Sequence, residues 1–253
     1  MEHPINHLKR NLRAGKVQIG CWLSLGNVIA AEICAGAGFD WVLIDMEHAP
    51  NDLPQVHQQL LAVSAYPVSA IVRCPWNDTV TIKRLLDAGV QSLLIPYVQN
   101  EEEARRAVAA VRYPPNGVRG VSTGSRSSRF GRVKDYLSRA QEEICVIVQI
   151  ETRQGWDNIE KIAAVEGIDS LFIGPQDFAC DLGQLGNPGH PEVQAAIADV
   201  IVRTKKAGKA PGILYFDETG AKKWIGLGAQ MIAVTSDSAI LVKESSAISA
   251  RFK

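Results

Sequence analysis

Long apolar runs, cysteine pairs and an excess of charge of either sign are all missing from this 253-residue sequence. No apolar stretch reaches the roughly 20 residues that a membrane span needs. Residues 1–12 are polar and mixed in charge, without the apolar core of a signal peptide, so a cytoplasmic protein is expected. Basic and acidic residues number 27 each, which leaves no field to hold nucleic acid or an anionic membrane and favours a small-molecule partner. The five cysteines, at 21, 34, 74, 145 and 180, include no C-x-x-C pair and lie mostly in apolar segments. They read as reduced core residues and argue against a disulfide frame or a zinc site. Histidine is scarce as well, at positions 3, 7, 48, 57 and 190.

What is present is repetition. Short apolar strands are expected near 18–25, 41–47, 69–75, 92–98, 144–151, 169–175, 210–216 and 231–237. Helical segments are expected at 27–38, 53–64, 78–89, 100–111, 156–165, 191–208 and 217–228, several closing on Gly as helix C-termini do. Near-continuous apolar strands alternating with helices specify a parallel sheet covered by helices. Eight such units over 1–253 specify one α/β domain, a (β/α)₈ TIM barrel. The rival, an open doubly wound sheet, lacks its G-x-G-x-x-G after the first strand.

In a barrel of this kind the chemistry sits at the C-terminal ends of the strands. Asp45, Glu47 and His48 end the second strand, Arg73 the third and Gln149 and Glu151 the fifth, and Asp177 follows the sixth. Glu151 and Asp177, carboxylates from separate strands, suit a hard divalent cation that leaves positions for water and substrate; the bland reading pairs them with arginines. Asp177 also follows Gly174-Pro175-Gln176, where a helix begins and free amides can hold an anion. Arg73 is placed to stabilise a developing enolate. His48, alone among the histidines in following a strand end next to acids, is the expected general base. No lysine ends a strand, which argues against imine chemistry, and Tyr215-Phe216-Asp217 and Ser236-Asp237-Ser238 lack the glycine-rich turns of phosphate-binding barrels. The connection 113–131, rich in Gly, Ser and Arg, is too long to be a simple turn. It is either a surface loop with solvated arginines or one that grips an anion or bridges subunits.

In their order, Ile44-Asp45-Met46-Glu47-His48-Ala49-Pro50-Asn51, Val72-Arg73, Val148-Gln149-Ile150-Glu151 and Ile173-Gly174-Pro175-Gln176-Asp177 resemble the metal-dependent (class II) pyruvate aldolases of the HpcH/HpaI family over nearly the full chain. Within that family, Gln18-Ile19-Gly20-Cys21-Trp22, Lys83-Arg84-Leu85-Leu86-Asp87, the Tyr113-Pro114-Pro115 loop and Gly183-Gln184-Leu185-Gly186-Asn187 look most like the 2-dehydro-3-deoxyglucarate aldolases. The resemblance implies Mg²⁺, Mn²⁺ or Co²⁺ on Glu151 and Asp177. It also implies pyruvate held by Gln149, by Arg73 and by the amides near Gln176 and Asp177, with proton movement by His48. The reaction implied is reversible cleavage of a 4-hydroxy-2-oxo acid, such as 2-dehydro-3-deoxyglucarate or 4-hydroxy-2-oxoheptanedioate, to pyruvate and an aldehyde through the pyruvate enolate. The family pairs its histidine with an aspartate matched here by Asp87. Because Asp87 closes a helix and belongs at the opposite end of its own barrel from His48, the expected pairing is between subunits. That accords with the homo-hexamers, trimers of dimers, that the resemblance implies, with a C-terminal helix near 238–252 packed on a partner.

Several residues depart from the pattern. Met46 stands where Gly is common, Gln176 where Ser or Ala is usual, and Tyr215-Phe216 follow Leu214 where smaller residues are frequent. With Asp45 and Glu47 beside it, a pocket shaped by Leu214 and Phe216 is expected to be narrow and apolar. Two other readings share some of these residues: an acyl-CoA C–C lyase of the wider citrate-lyase-like superfamily, and a non-catalytic sugar-acid-binding protein.

Overall fold

The computed structural model describes all residues, 1–253. The chain runs through α1 (His7–Arg13), β1 (Gln18–Leu23), α2 (Val28–Ala35), β2 (Trp41–Asp45), α3 (Leu53–Val63), β3 (Ser69–Arg73), α4 (Thr79–Asp87), β4 (Ser92–Ile95) and α5 (Glu101–Val111). It continues through α6 (Tyr136–Arg139), β5 (Cys145–Ile150), α7 (Arg153–Asp157), α8 (Ile159–Ala163), β6 (Ser170–Ile173) and α9 (Pro175–Asp181). It ends with α10 (Pro191–Lys206), β7 (Ala210–Leu214), α11 (Glu218–Leu227), β8 (Met231–Ser236) and α12 (Asp237–Ala250). The strands pair in parallel with their sequence neighbours, and β8 returns to β1, closing the expected (β/α)₈ barrel. No helix is long and apolar enough to cross a membrane.

Two concentric cores follow from the pleat, because successive side chains of a strand point to opposite faces. Trp41 and Leu43 of β2 fill the barrel while Val42 and Ile44 meet the outer helices; Ile71 and Val72 of β3 divide in the same way. Cys145 and Ile147 of β5 point in, and Val146, Val148 and Ile150 point out. The interior is crowded by aromatic rings, which only glycine neighbours admit. A Cβ on Gly20 would stand 2.1 Å from the Trp41 ring, and one on Gly212 would stand 2.4 Å from Phe172.

The N-terminal segment differs from its polar reading. Asn6 accepts the Lys9 amide and so caps α1, which drops Leu8 and Leu12 into the inner core at the end where the strands begin. Three polar residues out of four per turn hid that stripe from a reading by composition. The helix expected at 156–165 is instead two short ones, α7 and α8, joined at Asn158. Of the cysteines, four are buried and unpaired as expected, whereas Cys180 is exposed.

The 113–131 connection is more ordered than a loop of solvated arginines. Arg119 is fully buried, its guanidinium 4.6 Å from the Tyr113 ring centroid and 3.3 Å from Asp87. Arg126 opens a 3₁₀ turn (Arg126–Ser128) and donates to the Ala88 carbonyl at 3.0 Å. Both therefore anchor the loop to the end of α4, on the side of the barrel where strands begin. Neither reaches the strand-end cavity of its own chain.

Candidate active site

The pleat that fills the barrel also delivers the polar layer above it. Asp45 takes the next inward position after Leu43, Arg73 the next after Ile71, and Gln149 and Glu151 the next two after Ile147. In β2, β3 and β5 the inward positions thus turn from apolar to polar at the last residues.

Asp45 organises the β2 side. Its carboxylate accepts from Arg73 Nε at 2.8 Å and Nη2 at 2.6 Å, and from Trp22 Nε1 at 3.1 Å. It also accepts the Glu47 amide at 2.9 Å, which bends the chain directly after the strand. Asn51 donates to the Asp45 carbonyl at 2.7 Å and is itself held by buried Gln59. Burial opposes the charge on Asp45, but the guanidinium and the indole outweigh it and hold the carboxyl below its ordinary range. Arg73 lies 5.0 Å from the Trp22 ring centroid and 2.8 Å from Glu47 through Nη1. Its fork is therefore braced on two acids and a ring, a rigid cation at the inner edge of the site. Burial wins over Arg73 at Glu47 and raises that carboxyl. His48 is mostly exposed in the β2–α3 loop, its Nε2 4.0 Å from Glu47 Oε2.

Across the barrel Glu151 is 2 % exposed. It accepts the Tyr97 amide at 2.8 Å on one oxygen and the Gln149 amide group on the other. Burial, reinforced by Asp177 and Glu47 and opposed by the Tyr97 amide, pushes this carboxyl up to about 8. Gln149 keeps its Oε1 buried without a partner. Gly174 caps α9, which starts with Pro175 and brings Asp177 into its first turn, with Gln176 exposed. A Cβ on Gly174 would stand 2.5 Å from Glu151 Oε2 and 2.6 Å from Gln149 Nε2, so the backbone itself forms one wall of the carboxylate pocket. Leu214 ends β7 against the inner core, and Phe216, 47 % exposed, lies beyond it on the rim.

At the strand ends these contacts link Asp45, Glu47, His48 and Arg73 on one side and Gln149 with Glu151 on the other, with Asp177 near enough to raise the carboxyls of Glu47 and Glu151, and with Leu214 at the end of β7. Asp87 is not among them. It ends α4 on the opposite side of the barrel, 28 % exposed and paired with Arg119. Two contributors were not legible as site residues. Trp22 occupies an inward position near the end of β1, a signal the pleat carries. Tyr97 acts through its amide, which no side-chain motif records.

A chain with this barrel and this strand-end layer matches known proteins. The family model described as HpcH/HpaI aldolase/citrate lyase matches residues 18–243. The chain is 58 % identical over 252 residues to a protein named pyruvate aldolase from Rhizobium etli, covering 100 % of this chain and 99 % of that one. It is 54 % identical over 248 residues to a 4-hydroxy-2-oxo-heptane-1,7-dioate aldolase from Salmonella dublin, covering 98 % and 94 %. A crystal structure of an HpcH/HpaI aldolase/citrate lyase family protein from Burkholderia cenocepacia J2315 superposes with a TM-score of 0.95 at 41 % identity, covering 98 % and 99 %. With a matching family model over most of its length and relatives this similar end to end, the chain belongs to the HpcH/HpaI aldolase/citrate lyase family.

Proposed function

We propose that this protein is a metal-dependent aldolase, a carbon–carbon lyase that reversibly cleaves a 4-hydroxy-2-oxo acid to pyruvate and an aldehyde, with the whole chain acting as one domain. The names of the relatives, pyruvate aldolase and 4-hydroxy-2-oxo-heptane-1,7-dioate aldolase, support this over a thioester lyase or a binding protein. The observation that carries it is the pocket formed by Glu151, Asp177 and Gln149 against bare Gly174, facing a braced Arg73. Substrates of the class include 4-hydroxy-2-oxoheptanedioate and 2-dehydro-3-deoxyglucarate.

The donors fit a hard divalent cation such as Mg²⁺, Mn²⁺ or Co²⁺. Glu151 and Asp177 offer carboxylate oxygens, and the unpartnered Gln149 Oε1 lies beside them. When bound there, the cation supplies Lewis-acid polarisation of the keto oxygen.

The chain's own residues do the rest. The amides at Gln176 and Asp177 and the Gln149 side chain seat the 2-oxo acid, and Arg73 faces the oxygen that becomes negative. His48 takes the proton of the C4 hydroxyl; the C3–C4 electron pair stays with C3 as the pyruvate enolate, and C4 leaves as the aldehyde. Protonation at C3 releases pyruvate. Asp87 lies at the far end of its own barrel, so we assign its pairing with His48 to a neighbouring subunit of a homo-hexamer, a trimer of dimers. The uncovered apolar faces of α2 and α12, where Ile29 and Ile33 stand beside Ile240 and Leu241, support packing of the C-terminal helix on that neighbour.

Deuterium uptake into the pyruvate methyl group, followed by NMR with and without Mg²⁺ or Mn²⁺, tests the enolate half of the reaction. Metal-dependent exchange lost in His48→Ala, Arg73→Ala and Glu151→Gln is the expected result. No exchange in the metal-loaded wild type would overturn the proposal.

A further inference from the structure

Asp87 owes its place to one side chain. Of all the donors in the chain only Arg119 reaches its carboxylate, with Nη2 3.3 Å from Oδ1, and the other oxygen accepts nothing from the chain. Arg119 is itself fixed at both ends. Its backbone is zipped to the end of α5, where the Val118 amide donates to the Ala109 carbonyl at 2.8 Å and the Arg119 amide to the Arg112 carbonyl at 2.9 Å. Its guanidinium lies 4.6 Å from the ring centroid of Tyr113 and 5.9 Å from that of Tyr136, residues that stand at the two ends of the connection between α5 and α6.

The arrangement is costly. Arg119 is fully buried, and its Nε and Nη1 have no partner. Arginine carries its charge into the interior, and even a well-paired buried ion pair often gains nothing over apolar side chains of the same volume. A single long hydrogen bond to a carboxylate 28 % exposed does not offset the desolvation of a guanidinium. Stability therefore supplies no reason for an arginine here, whereas geometry does. A carboxylate on the last residue of a helix is free to turn about its side-chain bonds. With one oxygen tied to an immobile fork, it presents the other in one direction.

We infer that Arg119 is a positioning residue for the aldol chemistry: by holding one oxygen of Asp87 it aims the other at the imidazole of His48 in a neighbouring subunit, and so orients the ring that moves the C4 hydroxyl proton. The inference rests on the pairing of Asp87 with His48 between subunits and adds the group that sets its geometry. A proton-transfer group misplaced by about 1 Å loses about 100-fold in rate, and the affinity for substrate, which is set by other residues, stays where it was.

The test is a double-mutant cycle of Arg119→Met and Asp87→Asn on the cleavage of 4-hydroxy-2-oxoheptanedioate at saturating Mn²⁺, with the melting temperature of each variant measured alongside. Arg119→Met alone is expected to lower kcat about 10- to 100-fold, with KM and melting temperature close to those of the wild type. In the Asp87→Asn background the same substitution is expected to cost less than about twofold, because the group that it positions is already gone. A merely structural arginine would lower kcat by the same factor in both backgrounds. Arg119→Lys, which keeps the charge and loses the fork, carries the same cycle should Arg119→Met not fold, and its kcat is expected between that of the wild type and that of Arg119→Met. Full kcat in the Arg119 variants, or a loss that persists undiminished in the Asp87→Asn background, overturns the positioning role alone. Wild-type kcat in Asp87→Asn sinks the pairing between subunits beneath it, and no pyruvate exchange in the metal-loaded wild type sinks the aldolase reading.

Discussion

Gly174→Ala adds one methyl group to the backbone wall of the carboxylate pocket. Gly174 has φ −98° and ψ 92°, an ordinary conformation for alanine, so the substitution carries no backbone penalty. Its cost is contact. The new carbon would lie 2.5 Å from Glu151 Oε2, 2.6 Å from Gln149 Nε2 and 3.3 Å from Glu151 Cβ. Ordinary contacts begin near 3.5 Å, so relief requires both side chains to retreat by about 1 Å. Glu151 is buried and held by the Tyr97 amide, which leaves it little room. Overpacking of this kind costs about 1–3 kcal/mol, and at about 2–4 °C per kcal/mol the melting temperature should fall by about 2–12 °C. Because a displacement near 1 Å at reacting groups costs about 100-fold in rate, metal-dependent pyruvate exchange should fall by about that factor. Gly226→Ala is the control. It lies within α11 with no atom within 4 Å of the added carbon, and alanine in a helix gains about 0.5–1 kcal/mol over glycine. If Gly174→Ala exchanged pyruvate protons and bound Mn²⁺ like the wild type, the pocket would not be where metal and keto acid meet.

Other perturbations separate packing from chemistry. Arg73→Ala leaves Asp45, 2 % exposed, as a buried charge without its cation, so a stability loss of about 3–5 kcal/mol should accompany the loss of exchange in urea titrations; a variant as stable as the wild type would contradict the bracing assigned to Asp45. Arg119→Ala empties a fully buried site between Tyr113 and Asp87 and should cost about 2–5 kcal/mol, whereas Arg119→Met, which refills the volume and removes two unpartnered nitrogens, should cost far less; equal losses would mean that charge, not volume, matters there. Phe216→Ala should raise kcat/KM for bulky aldehydes relative to small ones, and an unchanged acceptor profile would remove Phe216 from the pocket. Ile33→Asp together with Leu241→Asp should yield folded protein of lower mass by light scattering, since both side chains are exposed in the single chain; unchanged mass would show that this apolar face is not where subunits meet.

Much of the site was legible because a barrel strand carries its own coordinate system. Once Trp41-Val42-Leu43-Ile44 is read as a strand, parity alone assigns Asp45 to the inside, and strand direction assigns it to the reactive end. The same two facts placed Arg73, Gln149 and Glu151. They also separated Asp87 from His48, since a helix that follows its strand ends at the other face of the barrel. Parity could also have named Trp22, the indole that braces Asp45 and underlies Arg73.

The order of strands, the alternation of faces and the residue types at the strand ends are one-dimensional properties, and the sequence by itself determined them. The rest depends on what meets across the barrel. Neither the need for a bare backbone at Gly174 nor the amide from Tyr97 to Glu151 follows from a local pattern, because each is a contact between neighbouring strands whose register only closure sets. The burial of Arg119 and the plugging of the barrel by Leu8 and Leu12 belong to the same class. A polar segment can hide its apolar stripe, and an arginine its partners, until long-range packing decides which surfaces lose water.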